Sequence, residues 1–125
     1  MTYTLISVAL GGALGAVGRF LVGLLALRVM GAGFPWATLG VNVVGSFAMG
    51  ILFVLLMHSS SIRLNLFLLT GVLGGFTTFS AFSLDAIALY ERGAIGLSLT
   101  YVVVSVAASL AALVLGLFIA RGLWA

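Results

Sequence analysis

The residues with the clearest chemical potential lie in one short stretch of the chain, GGFTTFSAFS at residues 74–83. Glycine lowers helix stability by about 1 kcal/mol relative to alanine, and the paired threonines are β-branched, so a helix is weakest here. An interruption frees carbonyls that can ligate a hard cation and exposes helix ends that can act on anions. The alternative interpretation is a packing face built from small residues.

Two further segments carry hydrogen-bonding side chains four residues apart, namely Thr38, Asn42 and Ser46 in one and Tyr101, Ser105 and Ser109 in the other. This spacing places each set on one face of a helix. Such a stripe either holds helices together or lines a polar path. Neutral donors can replace the hydration shell of an anion without holding it too tightly to leave. Phe79 and Phe82 offer ring edges with partial positive charge, or they belong to the core.

Arg19 and Asp85 are the charges deepest in the apolar segments, where charges are costly and usually functional. Arg19 either attracts anions to a vestibule or snorkels and binds a helix C-terminus. For Asp85 the choice lies between a gating role and a salt bridge or solvated helix end. The sole histidine, His58, stands in a polar connection, no carboxylate pair shares a helix face, and no phosphate-binding loop follows a strand. We therefore predict no catalysis.

The elements that position these residues follow from composition, because 64% of the chain is hydrophobic and only 6% is charged. A helix takes roughly 20 residues to cross the bilayer core. We therefore predict an all-α membrane protein, one domain over residues 1–125, with four spans near residues 4–27, 36–57, 64–88 and 95–120. The third span should break near its middle. Cysteine is absent, which excludes disulfides and thiolate metal sites, and the scattered arginines indicate no nucleic-acid partner.

The arginines also bear on topology, since basic residues near span ends orient a membrane protein. Arg63 and Arg121 fall on one side of the predicted membrane, and Arg28 and Arg92 fall on the other. The equal count predicts dual topology, in which copies insert both ways round. Inverted copies can pair into an antiparallel homodimer with a site near the bilayer centre.

Three segments resemble the Fluc/CrcB family of fluoride channels: GGALGAVGR at residues 11–19, PWATLGVN at 35–42 and GGFTTFSAFS at 74–83. The resemblance covers essentially the whole chain. It implies a passive, fluoride-selective channel in the inner (plasma) membrane, an antiparallel homodimer with two pores that exports fluoride from the cytoplasm. It also implies a structural sodium ion at the centre of the dimer, held by the backbone carbonyls of Gly74 and Thr77.

The pore residues that the resemblance implies are Asn42, Phe79, Phe82 and Ser109, with Thr38, Ser80 and Tyr101 along the polar track. The chain departs from the family pattern at three positions. Ala37 stands where glycine is common, and Ala81 replaces a threonine, which removes a hydroxyl from the track. Asp85 replaces a glutamate, so any swing of that carboxylate would be shorter here.

Two other functions stay open from the residues alone. Small proton-coupled multidrug exporters also have four spans and dual topology, but they need a carboxylate in the first span, which this chain lacks. A structural membrane subunit would use Asn42 and the hydroxyl stripes only to hold helices together. Alanine substitutions on these stripes would then change assembly rather than ion flux.

Overall fold

The structure, a computed structural model, describes residues 1–124 as an all-helical chain. Its elements are α1 (Thr2–Met30), α2 (Trp36–Leu56), α3 (Ile62–Asn65), a π-helical segment (Leu66–Leu73), α4 (Gly74–Phe76), α5 (Phe79–Glu91) and α6 (Ile95–Trp124). Four helical stretches are long and apolar enough to cross a membrane, the third being Ile62–Glu91. The predicted all-α architecture with four spans is therefore confirmed. Most helix ends lie a few residues outside the predicted ones, because a helix continues past its apolar part.

The third span is built from several pieces. Ser61 caps its beginning, where the side chain accepts a hydrogen bond from the Leu64 amide at 3.2 Å. The π-helical segment that follows was not predicted, and such turns are frequent at functional positions. Between α4 and α5, Thr77 has φ −85° and ψ 157° and Thr78 has φ −153° and ψ 125°. Both residues therefore have extended rather than helical backbone angles.

Helix α1 packs against the first half of the third span through facing glycines. A methyl group on Gly75 would lie 2.5 Å from the Gly12 carbonyl oxygen, and one on Gly71 would lie 2.9 Å from the Gly11 Cα. The two backbones therefore touch, which is the small-residue packing offered above as an alternative. The packing face and the extended residues occupy neighbouring parts of the same segment, so one does not exclude the other.

The second and fourth spans form the other closely packed pair. A methyl group on Gly50 of α2 would lie 2.9 Å from the Leu117 amide nitrogen of α6. Helix α5 is fastened to α6 by the buried Ser98, whose hydroxyl donates to the Ala86 carbonyl at 2.7 Å. The third span thus lies between α1 on one side and the α2–α6 pair on the other.

The connections alternate between the two ends of the bundle. The guanidinium of Arg92, after α5, donates to the Gly33 carbonyl, between α1 and α2, at 3.0 Å. At the opposite end Arg63 lies over the ring of Tyr3, 5.6 Å from its centroid. The structure therefore places Arg92 beside the first loop and Arg63 beside the N-terminus, as the alternation of the spans requires.

Candidate functional site

A cleft of about 250 Å³ opens beside the extended residues of the third span. It is lined by Asn42, Ser46, Thr77, Thr78, Phe79, Phe82, Ser105, Val106 and Ser109. The lining combines hydroxyls, one amide and two phenyl rings, and it contains no ionisable side chain. Neutral donors with phenyl edges suit a small anion that must enter and also leave.

Asn42 replaces helix hydrogen bonds that the extended residues lack. Its side-chain oxygen accepts from the Thr78 amide at 2.8 Å, and its side-chain nitrogen donates to the Thr78 carbonyl at 3.0 Å. The side-chain amide of Asn42 therefore bonds to both the N–H and the C=O of Thr78, as the backbone of a neighbouring β-strand would. One N–H of the Asn42 side chain is left over, and the residue lines the cleft. Asn42 thus shapes the backbone and also offers the cleft a donor.

Two particular carbonyls lose their helical partners at this interruption, one to the Asn42 pairing and one to the Thr78 side chain that caps α5. In a continuous helix the Thr78 amide would bond to the Gly74 carbonyl, but here it donates to Asn42. The Ala81 amide would bond to the Thr77 carbonyl, but it donates to the Thr78 hydroxyl at 3.2 Å. The carbonyls of Gly74 and Thr77 therefore lose their usual donors, which fits the backbone oxygens of a hard-cation site.

Arg19 reaches this region from α1. Its Nε donates to the Gly75 carbonyl at 3.1 Å, and the side chain is half-buried. Gly75 lies in α4, which ends at Phe76, so Arg19 binds a carbonyl near the C-terminus of a helix. This contact corresponds to the second of the two alternatives given for Arg19 above. The positive charge of Arg19 therefore lies against a carbonyl two residues before the extended segment.

The two phenylalanines occupy different surroundings. Phe82 is 9% exposed, whereas Phe79 is 77% exposed, although both line the cleft. Their ring centroids are 5.6 Å apart. The cleft is therefore open to the outside of the single chain along the face that Phe79 forms. A path for an ion in a membrane needs a cover on that face, because lipid cannot solvate an anion.

Tyr101 lies behind Phe82 and is fully buried, with the two ring centroids 5.3 Å apart. Its hydroxyl donates to Asp85 at 3.2 Å, so the carboxylate meets a phenol rather than solvent alone. The hydroxyls of Thr38, on α2, and Ser105, on α6, lie near the Tyr101 hydroxyl. Tyr101, Asp85 and Thr38 form a polar group next to the cleft but outside its lining, to which Ser105 belongs.

The remaining predicted site residue, Ser80, is exposed and does not line the cleft. Its hydroxyl is 3.4 Å from that of Thr78. The lining also includes residues that were not named as site residues, among them Ser46, Ser105 and Thr78. The four-residue spacing already placed Ser46 and Ser105 on the right faces. Ser105 is 4% exposed, and within residues 1–124 its hydroxyl lies near the Tyr101 hydroxyl without making a hydrogen bond of normal length.

Comparison with known proteins identifies the family. A family described as "CrcB-like protein, Camphor Resistance (CrcB)" matches residues 6–117. The chain belongs to the CrcB family. A CrcB-family relative from Agrobacterium fabrum is 55% identical over 119 residues, which cover 94% of this chain and 95% of the relative. A second, from Paracoccus denitrificans, is 54% identical over 125 residues and covers both chains completely.

A third CrcB-family relative, from Cereibacter sphaeroides, is 56% identical over 122 residues, which cover 98% of each chain. All three relatives are named "fluoride-specific ion channel FluC". The family match includes most of each membrane-crossing helix and every residue of the cleft. Together with those helices, the family membership makes this chain a multi-pass membrane protein.

Proposed function

We propose that the chain forms a passive channel through which fluoride leaves the cell, and that it lies in the inner (plasma) membrane. The observation that carries the proposal is the cleft lined by Asn42, Phe82 and Ser109, found in a chain whose relatives are named fluoride-specific ion channels. The buried hydroxyl of Ser105 adds a donor in the same cleft. Hydroxyl and amide donors with phenyl edges can replace the hydration shell of fluoride.

The driving force needs no ATP. Hydrogen fluoride is a weak acid that crosses membranes as a neutral molecule and dissociates in a near-neutral cytoplasm, where the anion is trapped. A channel lets the anion leave down its electrochemical gradient. An inside-negative potential assists by about 2.3 kcal/mol per 100 mV for each charge. Selectivity over chloride follows from a path too narrow for the larger anion.

We further propose that two copies pair in opposite orientations and enclose two such paths. Phe79 is 77% exposed in the single chain, and Gly74 and Ser80 near the same extended residues are exposed as well. Exposed polar backbone in the middle of a span is tolerated only where protein or a cavity shields it. A second copy supplies that cover, and the balanced arginines permit its inverted insertion.

A structural sodium ion fits the centre of this pair. The carbonyls of Gly74 and Thr77 have lost their helical donors to Asn42 and to the Thr78 hydroxyl, respectively, and carbonyl oxygens are ligands that hard cations prefer. Each copy would contribute these two oxygens. When bound, such an ion would supply a fixed positive charge, and Asn42 and the Thr78 hydroxyl would keep the two carbonyls free of helical donors.

The test is anion efflux from liposomes that contain the purified protein, driven by a potassium gradient with valinomycin. Fluoride and chloride release are recorded in parallel. We expect rapid fluoride release without chloride release, lost in Phe82→Ile and retained in the control Phe118→Ile, whose ring is 76% exposed. Equal release of both anions would refute the proposed selectivity. No release from folded protein would refute the channel and favour an exporter or a structural subunit.

Orientation and sodium binding have separate tests. The chain has no cysteine, so Ser60→Cys in the exposed second connection introduces a unique thiol. A membrane-impermeant maleimide applied to intact cells should label about half of the protein if it inserts both ways, and all or none if it does not. Replacing sodium by a large organic cation should lower the thermal stability of the purified dimer. Unchanged stability would refute the sodium site.

A further inference from the structure

The first loop, residues 31–35, contacts the proposed pathway through one aromatic ring. Phe34 meets Tyr101 edge to face, with centroids 5.5 Å apart and ring planes at 90°. Tyr101 in turn contacts Phe82 at 5.3 Å, and Phe82 contacts Phe79 at 5.6 Å. A continuous row of rings therefore runs from the loop to the cleft. Neither composition nor helical spacing indicated a role for this loop.

The loop is held in one conformation by its own backbone and by a side chain from across the bundle. Pro35 has φ −79° and ψ 66°, and the Trp36 amide donates to the Phe34 carbonyl at 2.8 Å. These are the angles and the bond of an inverse γ-turn. Arg92 donates to the Gly33 carbonyl at 3.0 Å, immediately before Phe34. The turn and the arginine together fix where the phenyl ring stands.

The ring of Phe34 contacts Tyr101, a side chain whose conformation is already restricted by burial. Tyr101 is completely buried, and its hydroxyl donates to Asp85 at 3.2 Å. A phenol has only two side-chain torsions, so the contacts of its ring determine where its hydroxyl points. Phe34 packs against this ring from the loop, and Phe82 packs against it from α5.

From these contacts we propose that Phe34 is a positioning residue for fluoride conduction. Phe34 orients Tyr101 so that the Tyr101 hydroxyl stays bonded to Asp85, and Arg92 holds the loop that carries Phe34. The inference rests on the proposed function. Phe34 itself does not line the cleft. It acts on the rate of conduction through Tyr101, and we expect a smaller side chain at this position to leave folding and assembly intact.

The test uses fluoride efflux at low protein density, where two quantities separate. The fraction of liposomes that release fluoride reports how much protein is folded and active, and the release rate of those liposomes reports conduction. We expect Phe34→Ala to slow release by about three- to tenfold, with the active fraction unchanged, and Phe34→Tyr to restore the rate. An unchanged rate, or a loss confined to the active fraction, would overturn the proposal.

A double-variant cycle establishes whether the effect passes through the hydroxyl. Tyr101→Phe keeps the ring and removes the bond to Asp85. If Phe34 acts by orienting that hydroxyl, Phe34→Ala should slow release little further in the Tyr101→Phe background. Independent effects, which multiply in the double variant, would contradict the proposed route.

Arg92→Gln should slow release in the same direction, because it frees the loop. Arg28→Gln is its matched control, since it removes one arginine in the last turn of α1 at the same end of the bundle. Both variants change the arginine balance equally, so a shared effect would be one of topology and would overturn the role of Arg92. A wild-type chain that releases no fluoride would refute the proposed function instead, which keeps the two failures distinct.

Discussion

Replacing Asn42 by alanine should loosen the extended segment of the third span without disturbing the rest of the bundle. The substitution removes both hydrogen bonds to the Thr78 backbone, at 2.8 and 3.0 Å. Hydrogen bonds between membrane helices contribute roughly 0.6 to 1.7 kcal/mol each. The two together are therefore worth about 1–3 kcal/mol, which is a factor of roughly 5 to 150 in the equilibrium between the ordered and the loosened segment.

The assay is reversible unfolding of the purified protein in mixed micelles, followed by circular dichroism, with fluoride efflux measured on the same preparations. Ser46→Ala is the matched control. Ser46 lies one turn further along α2 and lines the same cleft, but the hydrogen bonds to the Thr78 backbone come from Asn42. We expect Asn42→Ala to lose about 1–3 kcal/mol of unfolding free energy and its fluoride release, while Ser46→Ala keeps its stability.

Equal stability of Asn42→Ala and the wild type would refute the reasoning, because it would mean that the amide does not pair with the Thr78 backbone. A loss of fluoride release with full stability would have a different meaning. It would show that the side-chain amide of Asn42 acts on the anion directly and not by pairing with the Thr78 backbone.

Three further substitutions, two with matched controls, test the helix packing and the contact of Arg19. Gly75→Ala places a methyl group 2.5 Å from the Gly12 carbonyl and should cost about 1–3 kcal/mol of unfolding free energy, whereas Gly12→Ala meets nothing within 4 Å and should be neutral. Ser98→Ala removes a buried hydrogen bond between α5 and α6 and should lower the unfolding free energy by about 1 kcal/mol. Ser7→Ala removes only an exposed bond within α1 and should leave the unfolding free energy unchanged in the same assay. Arg19→Met removes the donor to the Gly75 carbonyl and should slow fluoride efflux, while an unchanged rate would argue against an influence of that charge on the path.

The number and type of the spans were predictable because a lipid bilayer permits few backbone conformations. A composition of 64% hydrophobic residues with three polar interruptions allows only four helical spans, since every backbone polar group must be paired within the membrane. The π-helical segment was not predictable. Its sequence, LFLLTGVL, is an ordinary apolar run in which nothing marks a change of hydrogen-bonding pattern. Its close contact with α1 at Gly71 joins segments far apart in sequence.

The candidate site was predictable in part, for a similar reason. Four-residue spacing defines a helix face, so Asn42 with Ser46, and Ser105 with Ser109, were placed correctly relative to one another. The spacing does not determine which residues of other helices pack against that face. The pairing of Asn42 with Thr78 and the contact of Phe34 with Tyr101 join segments far apart in sequence. The conduction roles of these residues stay predictions until flux is measured.

The hydrogen bonds around the extended segment link the proposals on sodium and on dimerisation. Arg19 satisfies the Gly75 carbonyl, and Asn42 satisfies both backbone groups of Thr78. The amides that would bond to the Gly74 and Thr77 carbonyls in a continuous helix donate to side chains instead. An unpaired carbonyl costs several kcal/mol in hydrocarbon, so a ligand from outside the chain would stabilise these two carbonyls. If that ligand is a sodium ion shared between two copies, removing sodium should weaken the dimer, and monomeric protein should show no sodium-dependent stability.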